Sequence, residues 1–332
     1  MDLYNIFDYA NKQLITKNAI IYIQEISWYL LILSINIEDN TYNYYSDEWI
    51  SLINYNYPHC SYYSIFVNSY NNIIQNLNYL VYHECNVLSL ITTFSTGCVH
   101  GYSGFWYILI NYITNIDKYN NLNLIVYKDS EKGMLQILDH LKNKGIITAN
   151  IIYLEKNIKY KFNSVTYIPN EYHVINGNLD NMIYEFIQKY NIINKSIYFN
   201  DETICILKSN ISNTNVSNNG IFDDKLVEEF CNKYNIYRLF PKNEIETINK
   251  INNCRILIIN YGSTFFKNFI YISNKCEKII VVVHGDVYIN DYYHLSSITP
   301  SKFQGVIYNR YKNADIKYII VNNELNFNPY LL

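Results

Sequence analysis

The sequence predicts an α/β protein made of two Rossmann-like, doubly wound domains. From residue 85 onward, strand-like and helix-like segments alternate, which is typical of βαβ units with a largely parallel sheet. The same alternation starts again after residue 190, and segment 279–283 is apolar throughout, as in a central parallel strand. The length of 332 residues suits two domains of roughly 150 residues each. We therefore expect α/β domains over 1–190 and 191–332, with residues 1–80 as an irregular extension.

Within the first domain, each element is expected from its own residue pattern. Strands are expected where β-branched and aromatic residues cluster, and helices where apolar residues recur every three or four positions. Gly145 is expected to end the second helix as a C-cap, because glycine tolerates the left-handed conformation found there. The expected strands are 86–94, 122–127 and 151–154, the expected helices are 105–116 and 132–144, and a small-residue loop is expected at 95–104.

The second domain follows the same pattern. Asp223 or Asp224 is expected to cap a helix that runs through Tyr234, and Pro241 is expected to end a strand. An Asn- and Ser-rich loop is expected at 209–220. The expected strands are 203–207, 235–240, 255–259 and 279–283, and the other expected helices are 179–190, 243–252 and 265–271.

The composition excludes some classes of protein. Hydrophobic residues make up 49% of the chain, which excludes intrinsic disorder. Charged residues make up 17% and the formal net charge is -3, so nucleic acid is not favoured as a partner. The 37 tyrosines, ten glycines and abundant asparagines indicate an A/T-rich genome, such as that of a microbe, a protist or a large (giant) DNA virus. In such a chain, polar positions drift to Asn and aromatic positions to Tyr without a functional cause.

The sequence also predicts a cytoplasmic protein, in the host cytoplasm if the source is viral. Residues 1–4 lack a basic region of the signal-peptide type, and no stretch of about 20 predominantly apolar residues is present. The seven cysteines are odd in number and form no Cys-x-x-Cys pair, which favours reduced thiols. No zinc, P-loop or Asp-x-Asp motif is present, so no metal or cofactor is expected. The sequence does not decide between a monomer and a homodimer.

Candidate binding residues follow strands in the second domain, where open α/β sheets bind ligands. Gly262 lets the backbone approach a ligand, the amides at the following helix start attract phosphate, and Ser263 and Thr264 add hydroxyl donors. Lys208 follows another strand and could pair with the same phosphate. The alternatives are an ordinary turn with a Ser or Thr cap, and a solvated lysine.

Two further segments carry histidine after a predicted strand. His284 and Asp286 follow the apolar strand 279–283, and His284 is suited to act as a base or to bind a hydroxyl. A turn with a capping Asp is the alternative. His100 and Tyr102 lie among three glycines in segment 97–104, for which a flexible Gly-rich turn is the alternative.

Five segments occur in an order that resembles glycosyltransferase family 61, the group of capsular-polysaccharide-type and O-linked-sugar transferases. The resemblance covers roughly residues 85–310. The segments are 102–106 (Tyr-Ser-Gly-Phe-Trp), 204–208 (Ile-Cys-Ile-Leu-Lys), 221–230, 240–251 and 260–270. Where the family has His, Arg and His, this chain has Gly104, Lys208, and Asn260 or Tyr261. A lysine in place of arginine loses bidentate phosphate binding.

This resemblance implies a GT-B-like pair of domains, the first on the acceptor side and the second binding the nucleotide sugar. It implies transfer from a donor, here a UDP- or GDP-sugar, with inversion and without a bound metal, onto a hydroxyl of a glycan or protein. The implied roles are catalysis by His100, His284 or Asp286, donor binding by Lys208, Tyr261, Gly262, Ser263, Thr264 and Asn268, and acceptor contact by Gly101, Tyr102 and Ser103. Two alternatives remain: a degenerate transferase that acts as a glycan-binding or assembly protein, and a pyruvyl or nucleotidyl transferase.

Overall fold

The α/β class is confirmed by the computed structural model, in which the chain divides into two compact units, Met1–Ile175 and Asn176–Leu332. This division lies at 175/176, whereas the sequence pattern placed it near 190, and helix 177–189 therefore belongs to the second unit. The structure describes residues 15–26, 29–36, 41–45, 78–92, 99–168, 177–192, 203–207, 222–240, 243–261, 268, 270–273, 275–284, 315–321 and 324–332.

The first unit contains a seven-stranded mixed sheet in the order β3-β2-β1-β7-β4-β5-β6. Strands β1, β2 and β3 form an antiparallel meander, β7 pairs antiparallel with β1, and β7, β4, β5 and β6 are mutually parallel neighbours. The strands are β1 (Ile15–Ile26), β2 (Tyr29–Asn36), β3 (Thr41–Tyr45), β4 (Leu80–Ser89), β5 (Asn123–Tyr127), β6 (Ile151–Leu154) and β7 (Lys159–Thr166). The helices are α1 (Val99–Thr114), α2 (Ile116–Tyr119) and α3 (Lys132–Asn143).

The meander occupies a region that the sequence pattern treated as an irregular extension. Five consecutive residues of β1, from Ala19 to Ile23, are all at most 5% exposed. A strand covered on both faces has no polar face, so its sequence lacks the alternation that normally reveals a strand. The alternation was absent here because of burial on both faces.

The sheet of the first unit is strongly coiled. Strand β6 ends at Leu154, and three residues later the Asn157 amide donates to the Ile23 carbonyl of β1 at 2.8 Å. In a flat sheet β6 and β1 would be four strand spacings apart, about 19 Å, whereas three residues span at most about 11 Å. Coiling therefore brings the end of β1 next to the ends of β5 and β6.

Helix α1 begins earlier than the sequence pattern predicted. We expected a glycine-containing loop up to residue 104, but the helix starts at Val99, and Gly101 and Gly104 lie inside it. Each glycine costs a helix about 1 kcal/mol relative to alanine. Burial offsets that cost, because Tyr102, Phe105 and most of the following helix residues are almost completely buried.

Helix α3 ends as predicted. Gly145 has a positive φ of 69°, its amide donates to the Lys142 carbonyl at 2.9 Å, and the Ile146 amide donates to the Leu141 carbonyl at 3.0 Å. These two bonds form the Schellman motif, in which a residue without a Cβ is favoured.

The second unit contains a five-stranded sheet in the order β12-β11-β10-β8-β9, and every neighbouring pair is parallel. Counted from β8, this is the order 2-1-3-4-5 of one common doubly wound fold. The strands are β8 (Thr203–Ile206), β9 (Tyr237–Arg238), β10 (Ile256–Asn260), β11 (Lys278–His284) and β12 (Asp315–Val321). The helices are α4 (Gly177–Lys189), α5 (Asp224–Tyr234) and α6 (Glu244–Asn253).

Side-chain caps fix two helix starts in this unit. The Asp223 carboxylate accepts from the Lys225 and Leu226 amides, and the Asn243 side chain accepts from the Ile245 and Glu246 amides. Each such cap stabilises its helix by about 1 kcal/mol. Of the two predicted capping residues, Asp223 is therefore the cap. The predicted loop 209–220 and most of the predicted helix 265–271 lie outside the described residues.

Candidate functional site

The topology of the second unit defines one position for a ligand. Strands β8 and β10 are neighbours, with Ile206 opposite Ile259, although β9 lies between them in the sequence. The chain therefore continues from β8 to β9 at one edge of the sheet, and from β10 to β11 in the opposite direction. Ligands of doubly wound sheets bind where such connections diverge, at the carboxyl edge, the end of the sheet where parallel strands finish.

The predicted phosphate loop begins at this position. Asn260 is the last residue of β10 and is only 2% exposed. The Tyr261 amide donates to the Val282 carbonyl of β11 at 2.9 Å, which extends the strand pairing by one residue, and the Tyr261 side chain is half-buried. The backbone that enters the loop is therefore held by the sheet up to Tyr261.

The remaining predicted donor residues are placed as follows. Strand β8 ends at Ile206 and Leu207 is the last described residue after it, so Lys208 comes two positions after the strand that neighbours β10. Asn268 is 2% exposed, and its carbonyl accepts from the Tyr271 amide at 3.0 Å, so its side chain lies in the protein interior. Lys208, Gly262, Ser263 and Thr264 themselves lie outside the described residues.

His284 lies at the same carboxyl edge. It is the final residue of β11, opposite Val321, and it follows Val282, which pairs with Asn260, by two positions. Its backbone therefore lies beside the start of the predicted phosphate loop. The structure does not describe the His284 side chain or Asp286.

The predicted acceptor residues lie at a corresponding place in the first unit. Strand β4 has β5 on one side and β7 on the other, so a change of direction in strand order also occurs there. Helix α1 follows β4 and contains His100, Gly101, Tyr102 and Ser103 in its first turns. The side chains of His100 and Ser103 are outside the part of the chain that is described.

Tyr102 is engaged in a structural contact. It is 1% exposed, and its hydroxyl donates to the Glu131 carboxylate. That carboxylate also accepts from the Gly133 amide at 2.7 Å and so caps helix α3. Tyr102 thus links the starts of α1 and α3 at the carboxyl edge of the first sheet.

Ion pairs occupy the carboxyl ends of β5 and β6. Lys156 and Glu25 lie 2.5 Å apart, and Lys128 and Glu155 lie 2.6 Å apart. Burial raises the pKa of the adjacent Tyr127 well above its usual value, and the Glu25 and Asp129 carboxylates raise it further. The pairs are partly exposed, so solvent screens them and each contributes little to stability. Among the described residues of this edge, each of these two lysines is matched by a carboxylate.

Sequence reasoning missed one buried polar pair in the second unit. Glu244 is 2% exposed, and its carboxylate accepts from the buried Tyr271 hydroxyl at 2.9 Å. The signal was the helical spacing of Glu244, Ile248 and Ile251, which places the carboxylate on the buried face of α6. A favourable interaction with the helix N-terminus offsets part of the cost of burying this charge.

No protein-family model matches this chain, and a search of curated proteins finds no match. Among the described helices, none combines the length and apolar character needed to cross a membrane. Within the same described ranges, no group of three or more His, Cys, Asp or Glu residues is placed to hold a metal ion.

Proposed function

We propose that this protein is a glycosyltransferase that moves a sugar from a UDP- or GDP-sugar to a hydroxyl of a glycan or protein. The observation that supports it best is the strand order of the second unit. Strands β8 and β10 are parallel neighbours at the point where the order changes direction, and Lys208 and the Gly262 loop follow these two strands. Phosphate-bearing ligands bind at this point in doubly wound folds.

The donor diphosphate would lie against the amides of residues 262–264 and the Lys208 ammonium. As the bond between the anomeric carbon and the diphosphate breaks, negative charge develops on the leaving oxygen. Fixed amides and a cation that are already oriented towards that oxygen lower the barrier, because they stabilise the transition state more than the ground state.

Inverting transfer also needs a base for the acceptor hydroxyl. His284 is the best-placed candidate, since the end of β11 lies beside the start of the donor loop. Asp286 and His100 are the other candidates. In this scheme the hydroxyl loses its proton to the base and attacks the anomeric carbon on the face opposite the diphosphate.

A second candidate function is nucleotide or glycan binding without transfer. It is favoured by Gly104, which stands where the family has a histidine and is buried inside helix α1. No imidazole is available at that position. A degenerate transferase would keep the binding loops and lose turnover.

The proposal is tested by calorimetric titration of the full chain with UDP and with GDP, followed by transfer assays with their sugars. We expect Lys208→Ala to weaken diphosphate binding at least tenfold, since a charge-assisted contact is worth roughly 1.5–3 kcal/mol. Lys225→Ala is the matched control, because Lys225 is a highly exposed lysine of the same unit, and it should bind normally.

The outcomes separate the two candidates. Binding with transfer supports a transferase, and binding without transfer to any offered acceptor supports the degenerate protein. If neither UDP nor GDP binds, and Gly262→Trp changes nothing, the nucleotide site is refuted.

A further inference from the structure

Two neighbouring parallel strands of the second unit are each preceded by a cysteine. Ile256 of β10 pairs with Lys278 of β11. The Arg255 carbonyl accepts from the Glu277 amide at 2.8 Å and from the Lys278 amide at 3.2 Å, so the pairing begins before the strands themselves. Continuing this register back by two residues places Cys254 opposite Cys276.

The two thiols are buried together. Cys254 is 0% and Cys276 is 2% exposed. The Cys254 thiol donates to the Ile251 carbonyl at 3.1 Å, and the Cys276 thiol donates to the Lys278 carbonyl at 3.3 Å. The neighbouring Cys276 thiol and burial both raise the pKa of Cys254. Both residues are free cysteines, and residues opposite each other on paired strands carry their side chains on the same face of the sheet.

We propose that Cys254 and Cys276 form a reversible disulfide that joins the amino ends of β10 and β11. Neighbouring strands lie about 4.8 Å apart, and paired residues have a similar Cα separation. This falls inside the range of about 4.4–6.8 Å that disulfides require. The strand spacing therefore permits this cross-link.

The oxidant is a peroxide. The thiolate of Cys276 attacks a peroxide oxygen, because the raised pKa and complete burial of Cys254 disfavour its own thiolate; the O–O bond breaks, and a sulfenic acid and a hydroxide form. The second thiol then attacks that sulfur, the S–S bond forms, and the sulfenic oxygen leaves as water. In sum, two thiols and one hydrogen peroxide give one disulfide and two waters, so sulfur is oxidised and the peroxide oxygen is reduced.

The disulfide would act on the donor loop without occupying it. It closes the segment from Cys254 to Cys276, which contains β10 and the predicted phosphate loop. The cross-link lies at the amino edge of the sheet, opposite the carboxyl edge where a ligand would bind. Oxidation therefore holds the ends of this segment together and lowers the entropy of its unfolded state.

A second pair of thiols in the same unit provides an internal comparison. The Cys205 thiol lowers the pKa of Cys231. Cys205 lies in strand β8 and Cys231 in helix α5, and no strand pairing sets the separation of their Cα atoms. We therefore propose the cross-link for Cys254 and Cys276, which the strand register places opposite each other.

Peptide mapping of the folded full chain tests the proposal. The protein is treated with hydrogen peroxide, remaining thiols are blocked with N-ethylmaleimide, and the sample is digested with trypsin without reductant. Cleavage after Lys250, Arg255, Lys275 and Lys278 releases Cys254 within Ile251–Arg255 and Cys276 within Cys276–Lys278. We expect these two peptides joined and lighter than their sum by two hydrogen atoms.

Thermal melting gives a second readout. We expect peroxide to raise the Tm of the wild-type chain by roughly 5–10 °C and dithiothreitol to reverse the shift. Cys254→Ser and Cys276→Ser should each abolish the shift, whereas the control Cys85→Ser, in β4 of the first unit, should keep it. The peptide map needs no variant, so it decides the matter even if a serine variant fails to fold.

The proposal is overturned if both peptides carry N-ethylmaleimide after peroxide treatment. It is equally overturned if the joined peptides appear only after oxidation in urea, or if Cys254 is joined to a different cysteine.

Discussion

The two units use the carboxyl edges of their sheets differently. In the second unit five strands are all parallel, and the predicted donor segments follow the two strands at which the order changes direction. In the first unit the parallel strands share their sheet with an antiparallel meander, and coiling brings Glu25 of β1 onto the ends of β5 and β6. There the carboxylate pairs with Lys156. Topology thus favours the second unit for an anionic donor.

The two units also share one type of hydrogen bond. Each has a tyrosine hydroxyl that donates to a glutamate at a helix start, Tyr102 to Glu131 in the first and Tyr271 to Glu244 in the second. Glu131 is an N-cap at intermediate exposure that keeps a second bond from the Gly133 amide, whereas Glu244 is almost fully buried inside α6. The glutamate of the pair is therefore partly exposed to water in the first unit and shielded from it in the second.

The largest expected effect comes from the core of the first unit. Trp106 is 0% exposed, so Trp106→Ala should lower the free energy of unfolding by about 3–5 kcal/mol through lost burial and the cavity left behind. Urea denaturation followed by circular dichroism measures this change. Tyr79→Ala is the control, since Tyr79 is 81% exposed and should lose little. Equal losses in the two variants would mean that α1 does not form the core of this unit.

Removing the tyrosine hydroxyl from each tyrosine–glutamate pair compares how much the two pairs contribute to stability. We expect Tyr271→Phe to cost about 1–3 kcal/mol, because it takes a hydrogen bond from a buried carboxylate, and Tyr102→Phe to cost less, because Glu131 is at intermediate exposure and water can replace the lost hydroxyl there. Urea denaturation of both variants at the same pH gives the comparison. A greater loss for Tyr102→Phe would reverse the ranking drawn from burial.

Removing one lysine from each carboxyl edge tests which edge binds the nucleotide. Lys208→Ala should weaken UDP or GDP binding at least tenfold, whereas Lys156→Ala should leave it unchanged, because the Lys156 ammonium is paired with Glu25. Isothermal titration measures both variants. Loss of binding in Lys156→Ala alone would indicate that the donor binds to the first unit.

The smallest effect is a pH dependence confined to the first unit. Burial, with a smaller contribution from Lys144, lowers the pKa of His140, and its buried Nε2 atom has no hydrogen-bond partner among the described residues. The unfolded chain then binds a proton more readily than the folded one. Stability contributed by the neutral imidazole is therefore complete above pH about 6.5 and is lost as the pH falls below it.

His140→Gln should flatten this dependence between pH 7 and pH 5. Urea denaturation at several pH values measures the slope, and the same slope in wild type and variant would rule out His140 as its source.

Local signals in the sequence predicted part of this fold correctly. The strand 151–154, the left-handed Gly145 and the Asp223 cap are each encoded by a few adjacent residues, and the structure confirms all three. The predicted loop up to residue 104 was wrong, because the helix starts at Val99. Here burial overrides the low helix propensity of Gly101 and Gly104. Propensity cannot reveal such burial, because it depends on distant neighbours.

The strand β7 shows a second reason for failure. It follows β6 after only four residues, with no helix between, so it breaks the alternation on which the sequence prediction rested. For the candidate site, the structure confirms the strands that precede the predicted donor segments, whereas His284 is the last residue of β11 itself and Lys208 and Gly262 lie outside the described residues. The adjacency of β8 and β10 is set by sheet order, and no local pattern encodes it.

Hydrogen exchange measured by mass spectrometry with and without saturating UDP or GDP tests the central claim most directly. The account predicts slower amide exchange in peptides that cover residues 206–209 and 258–268, with no change around residues 276–278 at the amino edge or 128–131 in the first unit. Protection confined to 128–131, or none anywhere with either nucleotide, would contradict the assignment of the donor site to the β8–β10 edge.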